Sequence, residues 1–246
     1  MPFGVKGLIG GAYMAVGHSE QWIKCCRAQL ARGRDTRGIT SAALVVALAI
    51  TGSRDEAMAA ANGLIDDAEA TDNPLALSWA LLTYGTAFQD ADPDRARHNL
   101  RRGLAIAQDS DNRYNETNLA ATLCRFEVKY GDPFAALDYF VVAIGNYLDS
   151  GNSTAIRSPL ATLATFLDRL GRYEPAAIIV GYGFSPLTAS WLPELGSTIA
   201  HLRGVLGDQT YESLARKGET MTTAAIATYA YDQIDQARAE LNAVSK

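Results

Sequence analysis

The chain has no excess of positive charge, no pairable set of cysteines, no apolar run of membrane-spanning length and almost no strand-like alternation. Each absence excludes something. Lys and Arg number 22 against 27 Asp and Glu, a formal net charge of −5. That balance gives no general attraction to nucleic acid or to anionic membranes. The three cysteines, Cys25, Cys26 and Cys124, are an odd number, which points to a reducing, cytoplasmic setting rather than a disulfide framework. Cys25 and Cys26 project about 100° apart on a helix. No second pair of Cys or His completes a zinc set, so all three cysteines are expected as small core residues. Segment 39–50 is the most apolar, yet it falls short of the roughly 20 residues a bilayer requires; a buried helix is expected there. Residues 1–16 are Gly-rich, with Lys6 among them and no basic stretch ahead of an apolar one, so no secretory leader is expected.

What is present is helical. The 246 residues are 48% hydrophobic and 20% charged, ordinary for a globular chain with a sizeable core. Ala, Leu, Arg and Glu recur with helical periodicity, while Gly and Pro fall between the periodic segments. The fold class is therefore all-α.

The turns recur. Ser53-Arg54-Asp55-Glu56-Ala57, Asp92-Pro93-Asp94-Arg95-Ala96, Asp132-Pro133-Phe134-Ala135-Ala136 and Tyr173-Glu174-Pro175-Ala176-Ala177 align at intervals of 39, 40 and 41 residues. A weaker copy begins at His18. Ile65, Leu104 and Ile144 each lie eight residues after the aligned alanine. In Gly131-Asp132-Pro133, the best formed copy, Gly131 is expected to close one helix in the left-handed conformation. Asp132 then caps the next, and Pro133 occupies its first turn. A second set of linkers, 70–74, 109–113 and 149–153, is rich in Asp, Asn and Ser and shares the spacing. A period near 40 with two helices per unit is the signature of an α-solenoid of tetratricopeptide-like helix-turn-helix repeats. First helices are expected over 5–16, 40–51, 75–90, 114–130 and 154–170. Second helices are expected over 19–32, 54–70, 94–109, 134–150 and 175–184. Residues 1–184 would form about five helix pairs and 185–246 an atypical helical cap, in one continuous domain. The cap would contain a helix over 195–206, a short one capped by Asp208 and ended by Gly218, and a last one from 222 or 223 to 244.

The ending is the most distinctive part. It runs Pro175-Ala-Ala-Ile-Ile-Val-Gly-Tyr-Gly183, then Leu202-Arg-Gly-Val-Leu-Gly-Asp208, Tyr211, Leu214, Gly218, Met221 and an Ala-rich segment. This resembles the C-terminal end of the tetratricopeptide-like region of large actinobacterial ATPase-type regulators, the LuxR-family and cyclase-linked proteins laid out like the maltose regulator. There an "AA-x-L-x-G" helix precedes an "LG-x-x-x-(F/Y)-x-x-x-x-x-x-G" hairpin and an Ala-rich helix. The resemblance implies a scaffold or sensor region of a transcriptional or signalling regulator, and its motif is structural, so no catalytic residue carries over. The chain lacks G-x-x-x-x-G-K-[ST], the loop of that family's nucleotide-binding module. No helix-turn-helix follows, so the repeat region alone is expected, as a fragment or free-standing.

No constellation for chemistry emerges. Asp66-Asp67-Ala68-Glu69 is half of a Mg²⁺-diphosphate motif without its partner. His18, His98 and His201 have no ligand at i+4. No G-x-S-x-G elbow is present, and no cysteine has a His partner. His98 with Arg97, Arg101 and Arg102 forms a basic, solvent-facing patch. The expectation is a non-enzyme without cofactor, metal or catalytic residues, binding a protein, peptide or small effector. Homodimerisation is a further expectation. The candidate binding residues lie on the first helices, which line the concave face of such solenoids: Tyr84, Asn115, Asn118, Thr122, Arg125 and Arg157. Asn118, Thr122 and Arg125 share one face at i, i+4 and i+7, and amide and guanidinium groups suit peptide backbone or carboxylate. Trp22, Trp79 and Trp191 are expected in the core. Two rival readings are an α-helical enzyme with Asp66 and Asp67 facing across a metal-diphosphate pocket, and an oligomerisation module using the apolar end helix 224–241.

Overall fold

Helix ends leave backbone groups that must be satisfied locally, and the turns of this chain do so by two recurring devices. The computed structural model describes residues 18–33, 35 and 38–244. Among them every regular element is a helix. In chain order these are α1 (Ser19–Leu30), α2 (Ile39–Ile50), α3 (Arg54–Ala61), α4 (Leu64–Glu69), α5 (Pro74–Phe88), α6 (Pro93–Asp109), α7 (Arg113–Tyr130) and α8 (Pro133–Asp149). There follow α9 (Arg157–Arg169), α10 (Tyr173–Gly183), α11 (Pro186–Trp191), α12 (Glu194–Leu206), α13 (Asp208–Glu219) and α14 (Thr223–Val244). The helix expected over 5–16 and the side chain of Trp191 lie outside the described residues. The chain divides into two compact units, Met1–Thr122 and Leu123–Lys246, and the division falls inside α7.

The first device closes a helix. Gly52, Asp111, Gly151 and Gly171 have φ of 82°, 51°, 66° and 77°. After each, the next backbone N–H reaches back five residues: Ser53 to Leu48, Asn112 to Ala107, Asn152 to Tyr147 and Arg172 to Leu167, at 2.8–2.9 Å. This is the 6→1 bond of a helix-closing left-handed residue. The second device opens a helix. The side chains of Asn73, Asp92, Asn112, Asp132 and Asn152 accept from backbone N–H groups two or three residues on. Pro74, Pro93 and Pro133 stand at first positions, where no N–H is missed. Gly131 departs from expectation: its φ is not positive, and the helix ends by its N–H bonding the Glu127 carbonyl at 3.0 Å.

In the N-terminal unit α2 packs on α1, α3 and α5, and α5 packs on α6. Thr40, Ala42, Leu44, Val45, Ala47 and Leu48 of α2 are buried, as expected of its composition. No helix among the described residues is long and apolar enough to cross a membrane. The α5–α6 contact is close: a Cβ built on Gly85 would fall against the Leu100 side chain, and one on Gly103 would come within 3.0–3.3 Å of Leu119, Leu81 and the Ser78 carbonyl. The outer face of α6 exposes His98, Arg101 and Arg102, and Arg102 pairs with Glu69 at 2.7 Å. The single helix expected over 54–70 is two, α3 and α4, because Gly63 adopts φ 81° and breaks the run. Trp22 and Cys26 are buried, whereas Cys25 is exposed and not a core residue.

In the C-terminal unit α10 is buried from Ala176 to Val180 and at Tyr182 and Gly183, between α9 and α13. Its crossing with α13 explains the two outlying glycines of the ending. A Cβ on Gly181 would coincide with the Ala215 carbonyl, and one on Gly218 with the Ile178 carbonyl. Gly218 is thus a contact point in the terminal turn of α13, which ends one residue later at Glu219. Asp208 is likewise not a cap: Gly207 precedes the helix without a side-chain bond, and Asp208 pairs with Arg203 at 2.9 Å. The last helix, α14, packs on α8 and α10, burying Ile226, Ala227, Ala230, Ile234 and Ala237. Arg172 donates to Glu240, Gln233 and Gln236, Arg238 pairs with Asp138, and the Tyr182 and Thr223 hydroxyls bond at 2.7 Å. The apolar stripe offered for oligomerisation is therefore covered by its own unit.

Two predictions follow from these contacts. Gly218→Ala forces two backbones apart and should cost about 3 kcal/mol, at the upper end for an overpacked site. Gly204→Ala, whose Cβ meets nothing within 4 Å, should stabilise α12 by about 0.5–1 kcal/mol. Urea unfolding measures both. At the turns, Asp111→Gly relieves a left-handed non-glycine residue at a helix C-terminus and should add about 0.5–1 kcal/mol, while Gly151→Asp should lose a similar amount. Equal and opposite shifts in the thermal midpoint are the expected outcome.

Candidate functional site

The six residues expected on a binding face are mostly occupied within the fold. Tyr84 is buried, stacks on Phe88 with ring centroids 4.2 Å apart, and carries the Arg95 guanidinium 5.1 Å from its ring centre. Asn115 is fully buried. Its amide nitrogen donates to the Leu75 carbonyl at 3.1 Å and to the Ser78 hydroxyl at 2.7 Å, tying α7 to the first turn of α5. Asn118 is half-buried and donates to the Tyr114 carbonyl of its own helix at 2.7 Å. Thr122 is buried. Arg157 donates to the carbonyls of Tyr182 and Phe184 and lies over the Tyr182 ring, closing the end of α10.

Arg125 stands apart. Among the described residues no hydrogen bond or ion pair engages its guanidinium. Burial lowers its affinity for a proton, and the charge of Glu194, with Cys124 and Tyr147, offsets part of that penalty. Burial also pushes the neighbouring Cys124 thiol well up, against the smaller pull of Arg125, so no reactive thiolate forms there. The division between the units falls after Thr122. Asn118 and Thr122 thus belong to one unit and Arg125 to the other, and the shared face does not gather into a site within either.

A cavity of about 290 Å³ lies in the N-terminal unit. Its polar lining is Asp35, Ser41, Asp67, Thr71 and Trp79, and most of the rest is alanine. The break at Gly63 makes it possible. By turning α4 away from the line of α3, Gly63 sets Asp67 and the segment through Thr71 opposite the first turns of α2 and α5. Trp79, expected in the core, is half-buried in this wall. Asp35 sits ahead of α2 and accepts from the Thr40 N–H at 2.7 Å, the Ser41 N–H at 3.3 Å and the Ser41 hydroxyl. Among the described residues the lining contains no Lys, Arg or His.

Asp66 and Asp67 are both exposed and adjacent on one short helix; only Asp67 reaches the cavity. They do not face each other across a pocket, as a diphosphate-metal site requires. Among the described residues no group of three or more His, Cys, Asp or Glu could hold a metal ion. Sequence reasoning passed over Asp35, Ser41 and Thr71. The signal available for them was Gly63, standing inside an otherwise unbroken helical run.

Asn115→Ala removes two interhelical bonds and leaves the Leu75 and Ser78 oxygens without that donor. It should cost about 2 kcal/mol, whereas Asn118→Ala should stay within about 0.5 kcal/mol. Denaturant unfolding of both variants checks the difference.

No family model matches the chain, and no curated protein matches it.

Proposed function

We propose that this chain is a non-catalytic, tetratricopeptide-like α-solenoid module of a transcriptional or signalling regulator, whose role is to take up a small effector or a peptide. The observation that carries the reading is the cavity walled by α2, α4 and α5, which offers fixed polar groups and an indole in an alanine-rich pocket. Small-molecule sites have this character, mostly apolar with a few placed polar groups. The repeated left-handed closures and Asx caps support a helical-repeat reading, since each sets one helix pair against the next. The Gly181–Gly218 crossing gives a physical reason for the glycines in the ending that resembles the regulator family. The net charge of −5 speaks against direct contact with nucleic acid by this segment.

Ligand-observed NMR of the full chain with a metabolite mixture and a peptide library tests this. The expected outcome is at least one specific binder that competes for the cavity, is lost in folded Trp79→Ala, and is recovered chemically unchanged. Failure of every compound and peptide to bind would overturn the module reading. Turnover of the bound compound would overturn its non-catalytic part.

A further inference from the structure

The joint between α3 and α4 carries the chain's one Asn-Gly pair. Of the nine asparagines only Asn62 is followed by glycine, and no aspartate is. Asn62 is exposed, with φ −63° and ψ 131° just past the last residue of α3, and Gly63 takes φ 81° ahead of α4. Among the described residues no hydrogen bond engages the Asn62 side chain or the Gly63 N–H. The space around Gly63 is open: a Cβ there would meet nothing within 4 Å. The Asn62 amide carbon, an electrophile, and the Gly63 backbone nitrogen, a nucleophile, are thus both uncommitted, and glycine adds no side chain to hinder their approach. Other asparagines lack these conditions. Asn73 precedes proline, Asn112 and Asn152 cap helices through their side chains, and Asn115 is fully buried.

Closing the two into a five-membered ring requires rotation about the Cα–C bond of Asn62, because ψ 131° holds the Gly63 nitrogen away from the side chain. The joint resists that rotation weakly. α3 has eight residues and α4 six, too short to be stable apart from their packing, and α4 buries only Leu64 and Ala68. Gly63 adopts either sign of φ at little cost. We propose that Asn62–Gly63 is a site of spontaneous deamidation, and that the reaction rebuilds the joint that sets α4. The Gly63 nitrogen attacks the Asn62 amide carbon and forms a new N–C bond. The side-chain nitrogen leaves as ammonia with the Gly63 N–H proton, and a succinimide remains. Water then opens either carbonyl of that ring, giving aspartate or isoaspartate, so water is the only co-reactant. Isoaspartate carries the backbone through the side chain, one methylene longer. It also leaves a carboxylate at the C-terminal end of α3, where the helix dipole disfavours negative charge. α4, whose Asp67 and Ala68 help wall the cavity, is loosened as a result. The chemistry is independent of whether the cavity takes a ligand.

The test holds the full chain at mildly alkaline pH and physiological temperature. Peptide mass spectrometry follows the conversion of amide to acid, and methyl transfer by an isoaspartyl methyltransferase identifies isoaspartate. Asn62 should convert with first-order kinetics, at least about tenfold faster than any other asparagine of the chain, with isoaspartate the larger product. Asn62→Gln, whose longer side chain would need a six-membered ring, should abolish methyl acceptance at position 62, and circular dichroism confirms that this variant folds. Amide hydrogen exchange over 64–69 should be about tenfold faster in the isoaspartate form than in the unmodified chain. Conversion at Asn62 no faster than at the other asparagines, or methyl acceptance retained at position 62 in Asn62→Gln, would overturn the site. Unchanged exchange over 64–69 in the isoaspartate form would overturn its effect on α4.

Discussion

The structure depends on how its helix ends are satisfied. With no strand among the described residues, every backbone group left over at a helix terminus must find a partner in a turn of a few residues. The linkers at 70–74, 109–113 and 149–153 solve this alike. Asp72, Asp111 and Gly151 turn left-handed, and the asparagine after each caps the next helix. One residue reverses the chain and its neighbour restarts it. The direction of each new helix is then set by two adjacent residues, which leaves the helix faces free to be chosen for packing. The two aspartates reach the same conformation as glycine because a short polar side chain tolerates it.

This is why most of the helices were legible in the sequence. Asn and Asp before Pro announce starts, and α5, α6 and α8 begin where those residues place them. Glycine was the ambiguous letter. It can supply a positive φ, break a helix or admit a neighbouring backbone, and nothing local separates the three uses. Gly131 looked like a left-handed closure and is not one. Gly63 looked like an interior residue and is a break at φ 81°. Gly218 looked like a terminus and stands one residue before the end of α13, but it is also the point where that helix meets the Ile178 carbonyl of α10. The first use is decided by the chain itself, the last only by what crosses it.

The candidate binding face was less legible for a related reason. A polar residue on a helix can face a ligand or a neighbouring backbone, and one-dimensional spacing treats the two alike. Asn115 bonds a carbonyl 40 residues earlier, and Arg157 bonds one 25 residues later. Neither partner could be named without the fold. Buried carbonyls at helix ends are strong acceptors, so in a chain of many short helices they draw the amides and guanidinium groups that sequence reasoning would reserve for a partner.

The same competition shapes the cavity. Thr71 sits at the end of α4, and its hydroxyl turns back to the Ala68 carbonyl three residues earlier. Ser41 turns to Asp35, which anchors the start of α2. Both bonds serve local structure, satisfying the end of one helix and the beginning of another. Their by-product is chemical: each removes a donor from the cavity wall and leaves an acceptor. The indole N–H of Trp79 keeps a donor in the same wall, so the lining offers both hydrogen-bonding roles. The hydrogen-bonding character of the pocket is thus set in part by the same helix-end chemistry that builds the fold.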